Sequence, residues 1–404
     1  MKPKINEGKY IQSTFDDDFY KLCMQWAYLK KFPDSQCRFE YKIRSEVQWP
    51  EGFGAALQCL ISQYDQLKPP PNAEKYLLKN APFLPSGFID YLLKFRFNPS
   101  EIQIFHDEKT NELRIKAEGP TASVMRWEIP VLATVSELFF EMSDQGDDKL
   151  NFQKVKDDAK RKSVNLSSHN IPFVDFGTRR RKSFKTHLEV VESFMRTVSS
   201  TFIGTSNVHI AMLKDIKCIG TKAHEWYQFH AGVYGYKMAN FRAIENWQDV
   251  YQGSLGIVLP DTFTLDSFLP SFNSMYARLY DGIRWDSGCY KTFTEKVVNH
   301  YKKLGIPTES KTIVYSDGID SIEKCHDIYN TAKKNNIKCS LGIGTWLTND
   351  VGVKPLNQVM KMVAMKIDRH SEWNYTVKIS DSQGKEIGDP NELKLAKLTL
   401  NISK

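Results

Sequence analysis

From about residue 170 onward the chain repeats one pattern, a short apolar run followed by a loop of small, charged and hydroxyl residues. The runs lie at 173–176, 201–203, 216–219, 255–259, 282–283, 312–315 and 338–343. Most are succeeded by an apolar stripe at helical spacing, such as Phe184, Leu188, Val191 and Phe194, or Phe293, Val297, Tyr301 and Leu304. Strands that alternate with helices pair in parallel, with helices covering the sheet, and this many units predicts closure into a barrel. We therefore expect an α/β fold built on an irregular parallel α/β barrel.

The first third has a different texture. Asp16, Asp17 and Asp18 precede Phe19, Cys23, Trp26 and Leu29, which predicts a capped helix with Tyr20 and Lys21 beside its apolar stripe. Cys37, Phe39, Tyr41 and Ile43 alternate with charged residues, as in a half-buried strand. Two further strands, at 101–105 and 112–117, flank a turn, and Pro130 sits in the first turn of a helix carrying Leu132, Val135, Phe139 and Met142. After residue 375 the tail returns to hairpin character, with a turn at 382–385. The expected division is a discontinuous α+β domain of residues 1–130 completed by 370–404, and a barrel of residues 131–369.

Composition narrows the function. A net charge of +7 on 404 residues suits small anionic substrates, and the longest basic run, Arg179-Arg180-Arg181-Lys182, has only four residues. RNA binding would need clustered lysines interleaved with aromatics, so no nucleic-acid partner is expected. Nor is a membrane, because no apolar stretch approaches the roughly 20 residues that span a bilayer. Seven scattered cysteines without metal-ligand spacing, and a polar N-terminal stretch, predict reduced thiols and a cytoplasmic location.

The chemistry lies in the loop after each run. The loops read Gly177-Thr178-Arg179-Arg180-Arg181, Gly204-Thr205-Ser206-Asn207, Gly220-Thr221-Lys222-Ala223-His224, Pro260-Asp261-Thr262, Arg284-Trp285-Asp286-Ser287-Gly288, Ser316-Asp317-Gly318 and Gly344-Thr345. Any one of them is ordinary turn chemistry. Seven in succession at strand C-termini, the catalytic face of a barrel, read as an anion and sugar site. Arginines fork onto phosphate oxygens, and Gly342-Ile343-Gly344 lets backbone N–H groups approach a phosphate. Asp286 can accept from ribose hydroxyls or hold Mg²⁺ with Asp317. Lys222 and His224, before a helix, make a phosphate-attracting turn containing a nucleophile, although a lone histidine there is more often structural.

These motifs carry a resemblance. Asp-x-x-Tyr-Lys-Leu-x-Met-Gln at 17–25, Asp-Phe-Gly-Thr-Arg-Arg-Arg at 175–181, Gly-Thr-Ser-Asn at 204–207, Gly-Thr-x-Ala-His-Glu-Trp at 220–226, Asp-Ser-Gly at 286–288 and Gly-Ile-Gly-Thr at 342–345 resemble the nicotinate phosphoribosyltransferases, from about residue 11 to 390. The resemblance implies transfer of ribose-5-phosphate from phosphoribosyl pyrophosphate to nicotinate, with ATP hydrolysed through a phosphohistidine at His224 that Asp261 holds. It also implies a homodimer with shared active sites. Tyr20, from the partner subunit, and Phe176 would stack on the pyridine ring. Arg179 and Arg284 would face the nicotinate carboxylate or the phosphates, and Asp286, beside Ser287, would hold the ribose and Mg²⁺. Gly318, Gly342, Gly344 and Thr345 would cradle the 5-phosphate, with Lys361, Lys378 and Ser380 near ATP or pyrophosphate.

Ser206 bears on substrate choice. Nicotinamide-using relatives carry aspartate at this turn, where it accepts from the amide and would repel the carboxylate of nicotinate. Two departures from the family pattern stand out: Cys289 replaces an aspartate, and Ser-Asp-Gly-Ile-Asp at 316–320 replaces Ser-Asp-Asn-Leu-Asp. The competing expectations are a nicotinamide phosphoribosyltransferase, opposed by Ser206, and a catalytically silent nucleotide-binding regulator, motivated by Cys289.

Overall fold

A computed structural model describes residues 4, 7–197, 201–220, 222–382 and 384–402. Thr221 and Gln383, which fall in two of the predicted loops, lie outside the described residues. The chain forms two compact units. The first comprises Met1–Gln25, Arg38–Ile219 and Ile343–Lys361, and the second comprises Trp26–Cys37, Gly220–Gly342 and Met362–Lys404.

In the first unit, β1 (Gln36–Ile43), β2 (Ile102–Asp107) and β3 (Glu112–Pro120) form a sheet segment in the order β1-β3-β2. The β2–β3 hairpin is antiparallel from Ile102↔Ala117 to Asp107↔Glu112, as the sequence predicts. The first two apolar runs are β4 (Phe173–Asp175) and β5 (Phe202–Thr205), which pair in parallel. The third run is reduced to a parallel bridge, Thr205↔Cys218. The helix Phe184–Arg196 lays the predicted stripe on this layer, where Phe184, Val191 and Ile210 are buried and Leu188, Phe202 and Ile216 pack against them.

In the second unit the remaining runs are β6 (Ile257–Val258), β7 (Gly282–Trp285), β8 (Thr312–Tyr315) and β9 (Lys338–Ile343), each parallel to the next. Gly282 is required by close approach, since a Cβ there would lie 1.9 Å from the Thr312 carbonyl oxygen. The helices Tyr290–Lys303 and Ile322–Lys334 follow β7 and β8. β10 (Gln358–Lys366), which the sequence does not reveal, pairs with β11 (Asn374–Tyr375) through Ala364↔Tyr375.

These units follow other lines than the expected division at residues 130 and 370. Residues 131–219 join the N-terminal residues because polar and aromatic contacts bind them there. Arg181 pairs with Asp16 at 2.7 Å, and Phe139 packs edge-on against Trp49 at 5.7 Å. Within the second unit the tail is held to neighbouring loops by side-chain contacts. Lys378 reaches the loop after β6, and the Asp381 carboxylate accepts from the Leu265 amide at 3.0 Å.

Candidate active site

His224 opens the helix His224–Tyr234. The helix is anchored by an aromatic cluster: Trp226 packs against Tyr28 at 5.2 Å and Trp247 at 5.6 Å, and its indole N–H donates to the Ala243 carbonyl at 2.9 Å. The imidazole therefore sits at a fixed helix N-terminus, where partial positive charge favours an anion. Its Nδ1 lies 3.1 Å from Thr262 Oγ1, and its Nε2 lies 2.9 Å from Asp286 Oδ2 and 3.0 Å from Lys378 Nζ. Burial, reinforced by the Lys378 charge, pushes its pKa down to about 4, so the ring is neutral at physiological pH.

Asp261 Oδ1 is 3.7 Å from His224 Nδ1, beyond hydrogen-bond reach. That oxygen is buried with no hydrogen-bond partner among the described residues. The other oxygen, Oδ2, accepts from Ser287 Oγ at 2.6 Å. In this state Thr262 and Asp286, rather than Asp261, contact the imidazole directly. Thr262 carries no signal of its own in the sequence, although it follows Asp261 in the same turn. Lys222, expected as the charge near the histidine, is buried over the rings of Trp247 and Tyr280 at 4.5 and 4.7 Å. Lys378 occupies that role instead.

Around this core, Arg284 lies 3.3 Å from Asp286 Oδ1, Ser316 Oγ donates to the same oxygen at 2.9 Å, and Asp317 pairs with Lys385 at 2.7 Å. The Asp286 carboxyl is held well below its usual range: burial opposes ionisation, and the Arg284 charge, the hydrogen bond with His224 and the Lys378 charge overcome it. Ser380, close by in sequence, adopts φ of +73°, a conformation costly for a residue with a side chain. Gly318, at φ +59°, supplies the same left-handed backbone at no steric cost, and Gly342 is buried inside β9.

Mg²⁺ does not fit a protein-built site on Asp286 and Asp317. Both Asp286 oxygens are engaged by cationic or hydrogen-bonding partners, and Asp317 already faces Lys385. His224, Asp261 and Asp286 bring possible ligand atoms within 4.8 Å of one another, yet an ammonium stands among them and Mg²⁺ requires an octahedron of oxygens.

The remaining residues named from the sequence lie in the first unit. Phe176 donates its amide to the Ile343 carbonyl at 2.8 Å, and a Cβ on Gly344 would meet the Phe176 carbonyl oxygen at 3.3 Å. Thr345 starts the short helix Thr345–Thr348, and Tyr20 is half-buried in the first turn of the helix Phe19–Lys31. Asp175 organises the loop region, accepting from His187 Nε2 at 2.6 Å, Thr205 Oγ1 at 2.6 Å and the Gly177 amide at 2.8 Å. Ser206 Oγ donates to Asp18 Oδ1 at 2.7 Å, and burial raises the Asp18 pKa. Arg179 and Lys361 approach Glu128 at 3.9 and 2.9 Å. Asp18 and Glu128 are invisible as site residues in the sequence. Asp18 has the pattern of a helix cap, and Glu128 lies in a helix with no motif around it.

A buried histidine at a helix N-terminus, ringed by lysine, arginine and carboxylates after parallel strands, marks an α/β protein with a charged site suited to anionic ligands. Comparison with known proteins identifies the family. Residues 171–404 match the Nicotinate phosphoribosyltransferase (NAPRTase) family, and residues 15–136 match that family's N-terminal domain. A nicotinate phosphoribosyltransferase of Desulforapulum autotrophicum is 40% identical over 95% of this chain and 97% of its own length. One from Chromohalobacter salexigens is 38% identical over 98% and 99%. The crystal structure of nicotinate phosphoribosyltransferase from Porphyromonas gingivalis superposes with a TM-score of 0.93 at 37% identity, covering 97% of this chain and all of that one. The chain belongs to the nicotinate phosphoribosyltransferase family, and the α/β fold class expected from its sequence stands.

Proposed function

We propose that the protein is a nicotinate phosphoribosyltransferase. The nicotinate ring nitrogen attacks C1 of phosphoribosyl pyrophosphate, the bond to pyrophosphate breaks, and nicotinate mononucleotide forms. Full-length similarity to enzymes of that name supports the reaction. Tyr20, contributed across a homodimer, and Phe176 stack on the ring, while Arg179 and Ser206 face its carboxylate. Asp286, Ser287 and Arg284 engage the ribose and its phosphates. Gly318, Gly342, Gly344 and Thr345 hold the 5-phosphate, and Ser380 approaches pyrophosphate.

ATP hydrolysis is coupled through His224, and the observation that carries this step is the neutral imidazole with Lys378 Nζ 3.0 Å from Nε2. In the free protein the Asp286 carboxylate accepts the Nε2 proton at 2.9 Å; once Asp286 turns to the ribose and the proton sits on Nδ1, facing Thr262 and Asp261, the ring presents the Nε2 lone pair beside the Lys378 ammonium. That lone pair attacks the γ-phosphorus, ADP leaves, and water later releases phosphate. Mg²⁺ arrives as the counter-ion of the polyphosphate substrates.

Incubation with γ-labelled ATP tests the step. Acid-labile, base-stable label should appear on the protein and vanish in His224→Ala. Label that survives the substitution would place the phosphoryl group elsewhere.

A further inference from the structure

Three cations converge on one carboxylate in the first unit. Glu128 is buried, with Lys21 Nζ 2.7 Å from its Oε2, Lys361 Nζ 2.9 Å from its Oε1, and Arg179 Nη1 3.9 Å from Oε1. Burial works against its ionisation, and the charges of Lys21, Lys361 and Arg179 overcome that, holding the group well below the carboxylate range. Lys21 is as deeply buried as Glu128 and neutralises it. Lys361 and Arg179 retain 14% and 35% exposure of their side chains, so they hold Glu128 without being sealed in with it. Burial, and then the like charge of nearby Arg179, lower the pKa of Arg44.

Glu128 thus joins two partly exposed cations to a common buried anchor. Long cationic side chains lose considerable rotamer freedom when fixed, and a pair already clamped from below meets an anion without that loss. We propose that Glu128 is a positioning residue that presets Lys361 and Arg179 as a paired anion-binding fork for the substrates. The shared chemistry is a carboxylate or phosphate group, from nicotinate or from phosphoribosyl pyrophosphate. The inference rests on the transferase reading above and adds a residue that touches no substrate itself.

Glu128→Gln alone strands the buried Lys21 charge and can fail to fold. The informative comparison is therefore Lys21→Met against Lys21→Met/Glu128→Gln, which removes the buried pair together. If Glu128 positions the fork, the double variant shows about a tenfold higher KM than Lys21→Met for one anionic substrate, nicotinate or phosphoribosyl pyrophosphate. Its kcat should stay within about twofold and its melting temperature should match. Which KM moves identifies the anion. Calorimetric binding of inorganic pyrophosphate to both variants gives a readout independent of turnover, and weaker binding by the double variant supports a phosphate occupant. Equal KM values for both substrates and equal pyrophosphate binding would overturn the proposal. Absence of turnover in the unmodified protein would instead count against the transferase reading.

Discussion

His224 is the residue on which the chemistry turns, and its titration can be tested directly. Its folded pKa of about 4 lies below the ordinary histidine value of 6.5, because burial and Lys378 disfavour the imidazolium. Between those values the unfolded chain binds a proton that the folded chain refuses, so this group costs stability as pH falls from 6.5 to 4. Comparison with His224→Gln isolates the effect from Asp17, Glu137 and Asp381, whose raised pKa values act in the opposite direction. The stability of the protein relative to the variant should rise by on the order of 3 kcal/mol between pH 4 and 6.5, then stay level. A flat difference in urea titrations across that window would contradict the buried, neutral ring.

In the sequence, Ser206 is a bare absence of aspartate. The structure adds that its hydroxyl is committed to Asp18, a buried carboxyl whose pKa is raised. Ser206→Asp would place two carboxyls within hydrogen-bond distance, and one must take up a proton. Wild-type preference for nicotinate over nicotinamide, measured as the ratio of kcat/KM values, should fall at least about tenfold, corresponding to ~1.4 kcal/mol. The variant should also melt below Ser206→Ala. An unchanged ratio would remove Ser206 from substrate choice.

Among elements, the strands after residue 170 are legible because apolar runs and turn residues repeat at short range. Their loaded ends are legible for the same reason. The features that escape depend on partners distant in sequence. Asp16, Asp17 and Asp18 look like a helix cap, yet Asp16 binds Arg181, Asp17 binds Arg126 at 2.6 Å, and Asp18 binds Ser206. Three adjacent acids thus fasten the start of the helix Phe19–Lys31 to three separate places within the first unit. Glu128 is hidden likewise, since a single glutamate in an apolar helix gives no hint of three cations. The third run is a bridge of two hydrogen bonds, from the Thr205 amide to the Lys217 carbonyl at 3.2 Å and from the Ile219 amide to the Thr205 carbonyl at 2.8 Å.

Arg126 tests the fastening. Its guanidinium also donates to Gln25 Oε1 at 2.7 Å and to the Thr14 carbonyl at 2.6 Å. Arg126→Met leaves Asp17 buried without its counter-charge, which should cost about 3–5 kcal/mol at pH 8. Burial already lifts the Asp17 pKa to about 6, and losing Arg126 lifts it further. At pH 5 the neutral acid is tolerated, so the loss should shrink. A penalty equal at both pH values would show that packing rather than charge accounts for it.

On the scale of the whole molecule, the reaction class is legible from motif order along nearly the entire chain. The contacts of tail residues such as Lys378 and Asp381 are not, because their partners lie more than 100 positions upstream. The proposed homodimer predicts a sedimentation mass near twice 46.6 kDa, and a monomer retaining full activity would rule out shared active sites. The central claim is tested by following nicotinate mononucleotide formation from nicotinate and phosphoribosyl pyrophosphate, with and without ATP and Mg²⁺. We predict product in stoichiometric yield with pyrophosphate, formation accelerated by ATP, and loss of that acceleration in His224→Ala. No product under any of these conditions, or equal turnover of nicotinamide, would contradict it.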